Sequence, residues 1–224
     1  MCLVIEWQDK GEEVIFLINT SIKKYRAALR KLQYPELEEG FGRSFPKDIP
    51  HLDKYFKRFR KIALEMLKQT TDEVPTPWEK TLIAFMKLIG SNPLHWWVTG
   101  SCALALYGVE ISPRDIDLVT NYESALKLGE LLDDYIYEPV IEPQDWFCKW
   151  FGRAFLHMRI EWIGGVYEDE SIQIQKDFGY LAEKQLQNIK WRNYVIKVPP
   201  LKTLLEQTER RGLDSRAEKI KKML

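Results

Sequence analysis

The stretch Trp96-Trp97-Val98-Thr99-Gly100-Ser101, followed at Asp115 by Asp-Ile-Asp-Leu-Val-Thr, constrains this chain more than any other. The first part reads as a buried strand that ends in a Gly-Ser turn. A short helix from about Ser101 to Tyr107 follows, with turns at Gly108 and near Pro113 before a second strand starts at Asp115. Gly100 permits a tight turn and a close backbone approach. The first N–H groups of the helix have no partners within it, so that end attracts phosphate. Asp115 and Asp117 stand two apart on a strand, which puts both carboxylates on one face and turns Ile116 and Leu118 into a core on the other. Carboxylates beside a phosphate cradle suit a magnesium-bound nucleotide, because Mg2+ takes oxygen ligands from one or two carboxylates plus substrate phosphates. The alternative for the acids is a polar strand edge neutralised by Arg114, and for Ser101 an ordinary helix cap.

A later stretch, Leu156 to Ile163, alternates Leu156, Met158, Ile160 and Trp162 with His157, Arg159 and Glu161. That period of two predicts a strand with Glu161 on its polar face. That is the face a metal ligand near a cleft would require, and the competing reading for Glu161 is an ion pair to Arg159 or Arg153. His157 is expected to be a hydrogen-bonded structural residue. Cys102 follows Ser101 without a paired histidine to make it a nucleophile.

The ordered set of hydrophobic strand, Gly100-Ser101, helix, Asp115-Ile116-Asp117 and later strand acid resembles the nucleotidyltransferase superfamily typified by DNA polymerase beta, in its minimal form. Thirteen residues separate Ser101 from Asp115, and the resemblance covers roughly Pro75 to Leu224. It implies an α/β (α+β) fold, a mixed sheet flanked by helices, preceded here by an N-terminal hairpin and helices. It implies that Gly100 and Ser101 bind nucleotide phosphates. It also implies that Asp115, Asp117 and Glu161 are catalytic and hold Mg2+ in a two-metal site. Glu161 departs from the more usual aspartate. The implied reaction moves a nucleoside monophosphate from a nucleoside triphosphate such as ATP to an acceptor hydroxyl and releases pyrophosphate. The acceptor is left open among a small molecule, an RNA end and a protein side chain. A different class also fits the resemblance: a non-catalytic nucleotide- or partner-binding module, such as the antitoxin-like part of a toxin-antitoxin pair. A two-carboxylate hydrolase would leave the Gly-Ser turn unexplained.

The rest of the chain is consistent with a globular protein. Lys plus Arg and Asp plus Glu both total 33, for a formal net charge of zero, so bulk electrostatics call for no nucleic-acid partner. The three cysteines, Cys2, Cys102 and Cys148, fit neither a zinc motif nor a disulfide framework, which points to a reducing, cytoplasmic compartment. No apolar run is long enough to span a membrane. Two domains are expected, 1–74 and 75–224, divided by the polar, proline-bearing stretch from Thr70 to Pro77. In the first, Cys2–Trp7 and Val14–Asn19 flank Asp9-Lys10-Gly11 as a hairpin, and a helix follows through Tyr25 and Leu29. Pro35–Pro50 reads as a loop, either a packed connection or an acceptor surface. His51–Thr70 reads as an amphipathic helix with a solvated basic run. In the second, helices are expected over Trp78–Ile89, Tyr122–Asp133, Leu201–Arg211 and Asp214–Leu224. Strands are expected at Tyr135–Ile141, at Phe147–Trp150 and Ala154–Ile163 joined by a turn at Gly152, and at Trp191–Val198.

Overall fold

The computed structural model describes residues 3–224; Cys2, placed by sequence in the first strand, lies outside them. The chain divides into two compact units. The first runs to Pro75 and includes Asp134–Pro139, and the second comprises Thr76–Asp133 and Val140–Leu224.

The first unit contains β1 (Leu3–Asp9), β2 (Glu13–Thr20), α1 (Lys23–Lys31), β3 (Glu36–Leu37), β4 (Gly40–Pro46) and α2 (Leu52–Thr70). Its antiparallel sheet has the order β1-β2-β4-β3. The expected loop from Pro35 to Pro50 therefore contains two strands. Phe41, Arg43 and Phe45 carry the alternation of a strand, and they face Ile18, Phe16 and Val14 of β2 across the ladder. The surrounding glycines and prolines obscured that period in the sequence. Phe16, fully buried, collects Phe45, Phe56 and Phe59 at centroid distances of 4.9, 5.1 and 5.5 Å. This aromatic burial, supplied by the apolar stripe of α2, anchors the helix to the sheet. The basic face of α2 is mainly solvated, with Lys57, Arg60 and Lys61 exposed.

The second unit begins with α3 (Trp78–Ile89), β5 (Trp96–Thr99), α4 (Gly100–Leu106), β6 (Ile116–Thr120) and α5 (Tyr122–Leu131). Asn121 caps α5 by accepting from Ser124 N–H at 2.9 Å, as its residue type favours. Strand β7 (Ile136–Ile141) starts among residues of the first unit. Then come β8 (Cys148–Phe155), β9 (Arg159–Val166), α6 (Ile172–Asp177), α7 (Tyr180–Glu183), β10 (Gln187–Trp191), β11 (Tyr194–Val198), α8 (Leu201–Arg210) and α9 (Asp214–Lys221). Strands β5, β6, β9 and β8 lie side by side in that order. The pairings are antiparallel, parallel and antiparallel, so the sheet is mixed.

Two local expectations are corrected, and one stretch without a reading gains structure. Gly152 makes no turn: β8 runs straight through it, and the hairpin turns at Leu156-His157-Met158. A Cβ on Gly152 would lie 2.1 Å from the ring of Trp162, so the glycine serves the packing of that fully buried indole. The single strand expected over Trp191–Val198 is the hairpin β10–β11, turned at Arg192 with φ +51°. Finally, α6 and α7 occupy a stretch left without structure by the sequence reading.

Registers decide which side chains share a face. Val98, Leu118, Trp162 and Gly152 form one row across the four strands. α5 packs on this side, where Trp162 Nε1 donates to Ala125 O at 3.1 Å. On the other face Trp97, Val119, Ile163 and Phe151 form an apolar row, packed with Cys148, Ala182 and Phe178. Two residues along each strand, on that same second face, comes a polar row: Thr99, Asp117, Glu161 and Arg153.

Candidate active site

The polar row is the candidate site. Asp117 and Glu161 are direct partners on parallel strands, so their carboxylates project side by side. Asp115 sits in the bend before β6 rather than on the strand proper, and joins them from two residues back. The structure thus brings together all three acids singled out from sequence. It also brings in Arg159, whose Nη2 donates to Asp115 Oδ2 at 2.5 Å and whose Nη1 donates to Glu161 Oε1 at 2.8 Å. Arg153, across the ladder from Glu161, donates from Nε to the same Oε1 at 3.3 Å. Its guanidinium lies 4.0 Å from the ring centroid of Phe151, which fixes its direction. The ion-pair reading of Glu161 is therefore realised in this structure, with both candidate arginines. Arg159 could have been found from sequence, since it shares the polar phase of β9 with Glu161.

Asp117 is treated differently. Its side chain has no hydrogen bond or ion pair among the described residues. Burial holds its carboxyl well above the ordinary aspartate range, and the charges of Asp115 and Glu161 push the same way. Asp115 is raised too, first by burial, with Arg159 opposing and Glu161 adding to the shift. Desolvation disfavours the charged form, and like charges compound it. Next to Asp117 in register, the buried Thr99 Oγ1 also has no hydrogen-bond partner among the described residues. An unmatched carboxylate and an unmatched hydroxyl thus sit together at the end of β5.

Gly100 opens α4 directly above this point. Its φ is +61°, and a Cβ there would stand 2.4 Å from Asp117 Oδ2. No side chain other than hydrogen leaves Asp117 in place. Ser101 follows and is 8% exposed. Cys102 is fully buried, and burial raises its thiol with Asp117 and Asp115 adding to the effect; a neutral thiol is no nucleophile. His157 lies in the β8–β9 turn, where burial lowers its pKa and Lys80 contributes.

The C-terminal helices add cations that sequence gave no reason to place here. α8 packs against α4, and Lys219 Nζ of α9 donates to Glu110 O at 2.8 Å, in the loop leading to Asp115. Arg216, one turn earlier on α9, is held below its usual value by burial and then by Arg211, with Asp115 and Asp117 acting in the opposite sense. Arg216 and Arg211 thus lie within electrostatic range of the acids without pairing to them.

A parallel-antiparallel sheet with strand, Gly-Ser, helix and two-acid strand in this order is the nucleotidyltransferase-like fold. Residues 81–188 match a family model described as aminoglycoside-2''-adenylyltransferase. A search of the curated proteins finds no match. Among solved structures, the candidate nucleotidyltransferase TM1012 from Thermotoga maritima is 21% identical, with 66% of this chain and 94% of that chain covered and a TM-score of 0.52. The lincosamide antibiotic adenylyltransferase LnuA, in a lincomycin-bound structure, is 16% identical, with 65% and 98% covered and a TM-score of 0.47. ANT(2'')-Ia, in complex with adenylyl-2''-tobramycin, is 12% identical, with 62% and 86% covered and a TM-score of 0.44. No helix of the described residues is long and apolar enough to cross a membrane.

Proposed function

We propose that this chain transfers an adenylyl group from Mg-ATP to the hydroxyl of a small-molecule acceptor, releasing pyrophosphate. The acceptor oxygen bonds to the α-phosphorus, the bond from that phosphorus to the bridging oxygen breaks, and the hydroxyl proton leaves to a base. The matched family model supports the choice of adenylyl group and of a small acceptor. The observation that carries the reading is Asp117: a half-buried carboxylate without a hydrogen bond or ion pair among the described residues, pressed against Gly100 and raised first by desolvation, then by two neighbouring acids. Such a group is costly in the protein alone, and a cation bound beside it offsets that cost.

The donor set fits a magnesium ion held by Asp117 and Asp115, both hard oxygen ligands. When bound, the ion would supply electrostatic stabilisation of the charge that builds up in the displacement. Among the described residues no three His, Cys, Asp or Glu side chains are arranged to hold a metal by themselves; Arg159 is bonded to two of the three acids. In this reading Asp117 and Asp115 would hold the ion that the phosphates bind, and the backbone of Gly100 and Ser101 would contact the phosphates at the helix start. Arg211 and Arg216 balance the leaving pyrophosphate. Glu161 is held by Arg153 and Arg159 beside the place where the acceptor hydroxyl attacks, and receives its proton on release from Arg159. The free thiols of Cys102 and Cys148 agree with a reducing, cytoplasmic setting.

Titration calorimetry with ATP, with and without Mg2+, tests the reading on wild type and Asp117→Asn. Binding that needs Mg2+ and is lost in the variant supports it. Binding indifferent to both metal and substitution refutes it. Pyrophosphate release on incubation with aminoglycoside and lincosamide acceptors then tests turnover.

A further inference from the structure

The second unit contains an open cavity of about 480 Å³ that the acids do not line. Its walls include Thr76, Trp78, Glu79, Lys80, Ile83 and Arg192. The Trp78 indole is half-buried, and the ring of Trp191 stands beside it at 5.7 Å with an interplanar angle of 34°. The guanidinium of Arg192 lies over Trp191 at 5.1 Å. Arg192 is also ion-paired to Glu79, which cancels the acid on this wall and leaves Lys80 as the uncompensated charge.

One hydrogen bond ties the cavity to the loop that carries Asp115. Thr76 Oγ1 donates to Pro113 O at 2.6 Å, and Pro113 is two residues before Asp115. Two residues of extended chain span about 7 Å, so the Thr76 side of the cavity lies within a nucleotide's length of Asp115. The size is that of a small-ligand pocket. An aromatic wall offers a stacking face, and a net positive rim excludes polycations while accepting a neutral ring with an anionic tail.

We propose that this cavity holds the nucleobase of the bound nucleoside triphosphate, stacked on Trp78, with Lys80 on the side toward the phosphates. The inference rests on the nucleotidyltransferase reading above and adds the location of the base. Because every base has a π-face, stacking here favours nucleotides over inorganic polyphosphate without strong choice among bases.

The experiment compares Mg-ATP with magnesium tripolyphosphate by calorimetry, using the full chain as wild type, Trp78→Ala and Trp78→Phe. The expected result is about tenfold weaker ATP binding in Trp78→Ala, within the range for loss of one base–aromatic stack. Tripolyphosphate binding stays unchanged and Trp78→Phe recovers most of the ATP affinity. The tripolyphosphate arm reports whether the phosphate site of the alanine variant is intact. ATP binding unchanged in Trp78→Ala overturns the proposal, as does an equal loss for ATP and tripolyphosphate. An effect confined to the KM of an acceptor overturns it in favour of an acceptor pocket. If wild type binds neither ligand, the nucleotidyltransferase reading itself fails.

Discussion

Arg159→Gln is the most informative perturbation, because one side chain bonds two of the three acids. The guanidinium is 12% exposed and its partners Asp115 and Glu161 are 23% and 20% exposed. At an effective dielectric of about 20, two unit charges about 4 Å apart attract by about 4 kcal/mol. Desolvation of the three groups takes back much of that sum, but removing one partner leaves the others buried, which costs about 3–5 kcal/mol. Residual exposure puts the expected loss at the lower end, about 3 kcal/mol at pH 7. The same change removes the resident cation that competes for Asp115, so the variant binds divalent metal more tightly than wild type. A metal at a hundred times its Kd returns about 2.7 kcal/mol, nearly the whole loss. Urea unfolding followed by tryptophan fluorescence, with and without Mg2+, measures both quantities. The expected outcome is a lower midpoint without metal and a larger Mg2+ shift than in wild type. Equal Mg2+ shifts in the two proteins would refute the argument that Arg159 stands where the cation binds.

Other outcomes follow from single residues. The raised carboxyl of Asp117 contributes stability that is present below the ordinary aspartate range and lost as pH rises through its folded value. In the absence of metal, Asp117→Asn is therefore more stable than wild type at pH 7, and denaturant midpoints from pH 8 to pH 4 show that advantage shrinking. Gly152→Ala forces a methyl group into the ring of Trp162 and costs about 3 kcal/mol; an unchanged melting temperature would contradict the packing described. Cys148, its thiol pushed up to about 12 by burial, and the buried Cys102 react with a thiol reagent at pH 8 only on unfolding, which mass spectrometry of the alkylated peptides reads directly. In the first unit, Glu138 is 1% exposed and is bonded by Tyr34 and Arg43; Glu138→Ala costs about 3 kcal/mol in urea unfolding because it strands a buried charge.

Much of the candidate site was legible along the chain because its signals are local. A strand period of two, a glycine at a tight turn and paired aspartates are properties of neighbouring residues, so β5, α4, β6 and the polar phase of Glu161 could be read without a partner in view. The elements that were misread depend on residues far apart. Gly152 looks like a turn until Trp162 is placed over it, and Phe41 and Phe45 look like loop until β2 pairs with them. The charge state of the site was equally hidden. Which acids could meet on one face was readable from the chain alone, since side-chain direction follows from the backbone repeat. That Arg159 bonds two of them while Asp117 has no hydrogen bond or ion pair among the described residues is visible only in the folded chain, because electrostatic partners are set by the register of separate strands and the docking of C-terminal helices.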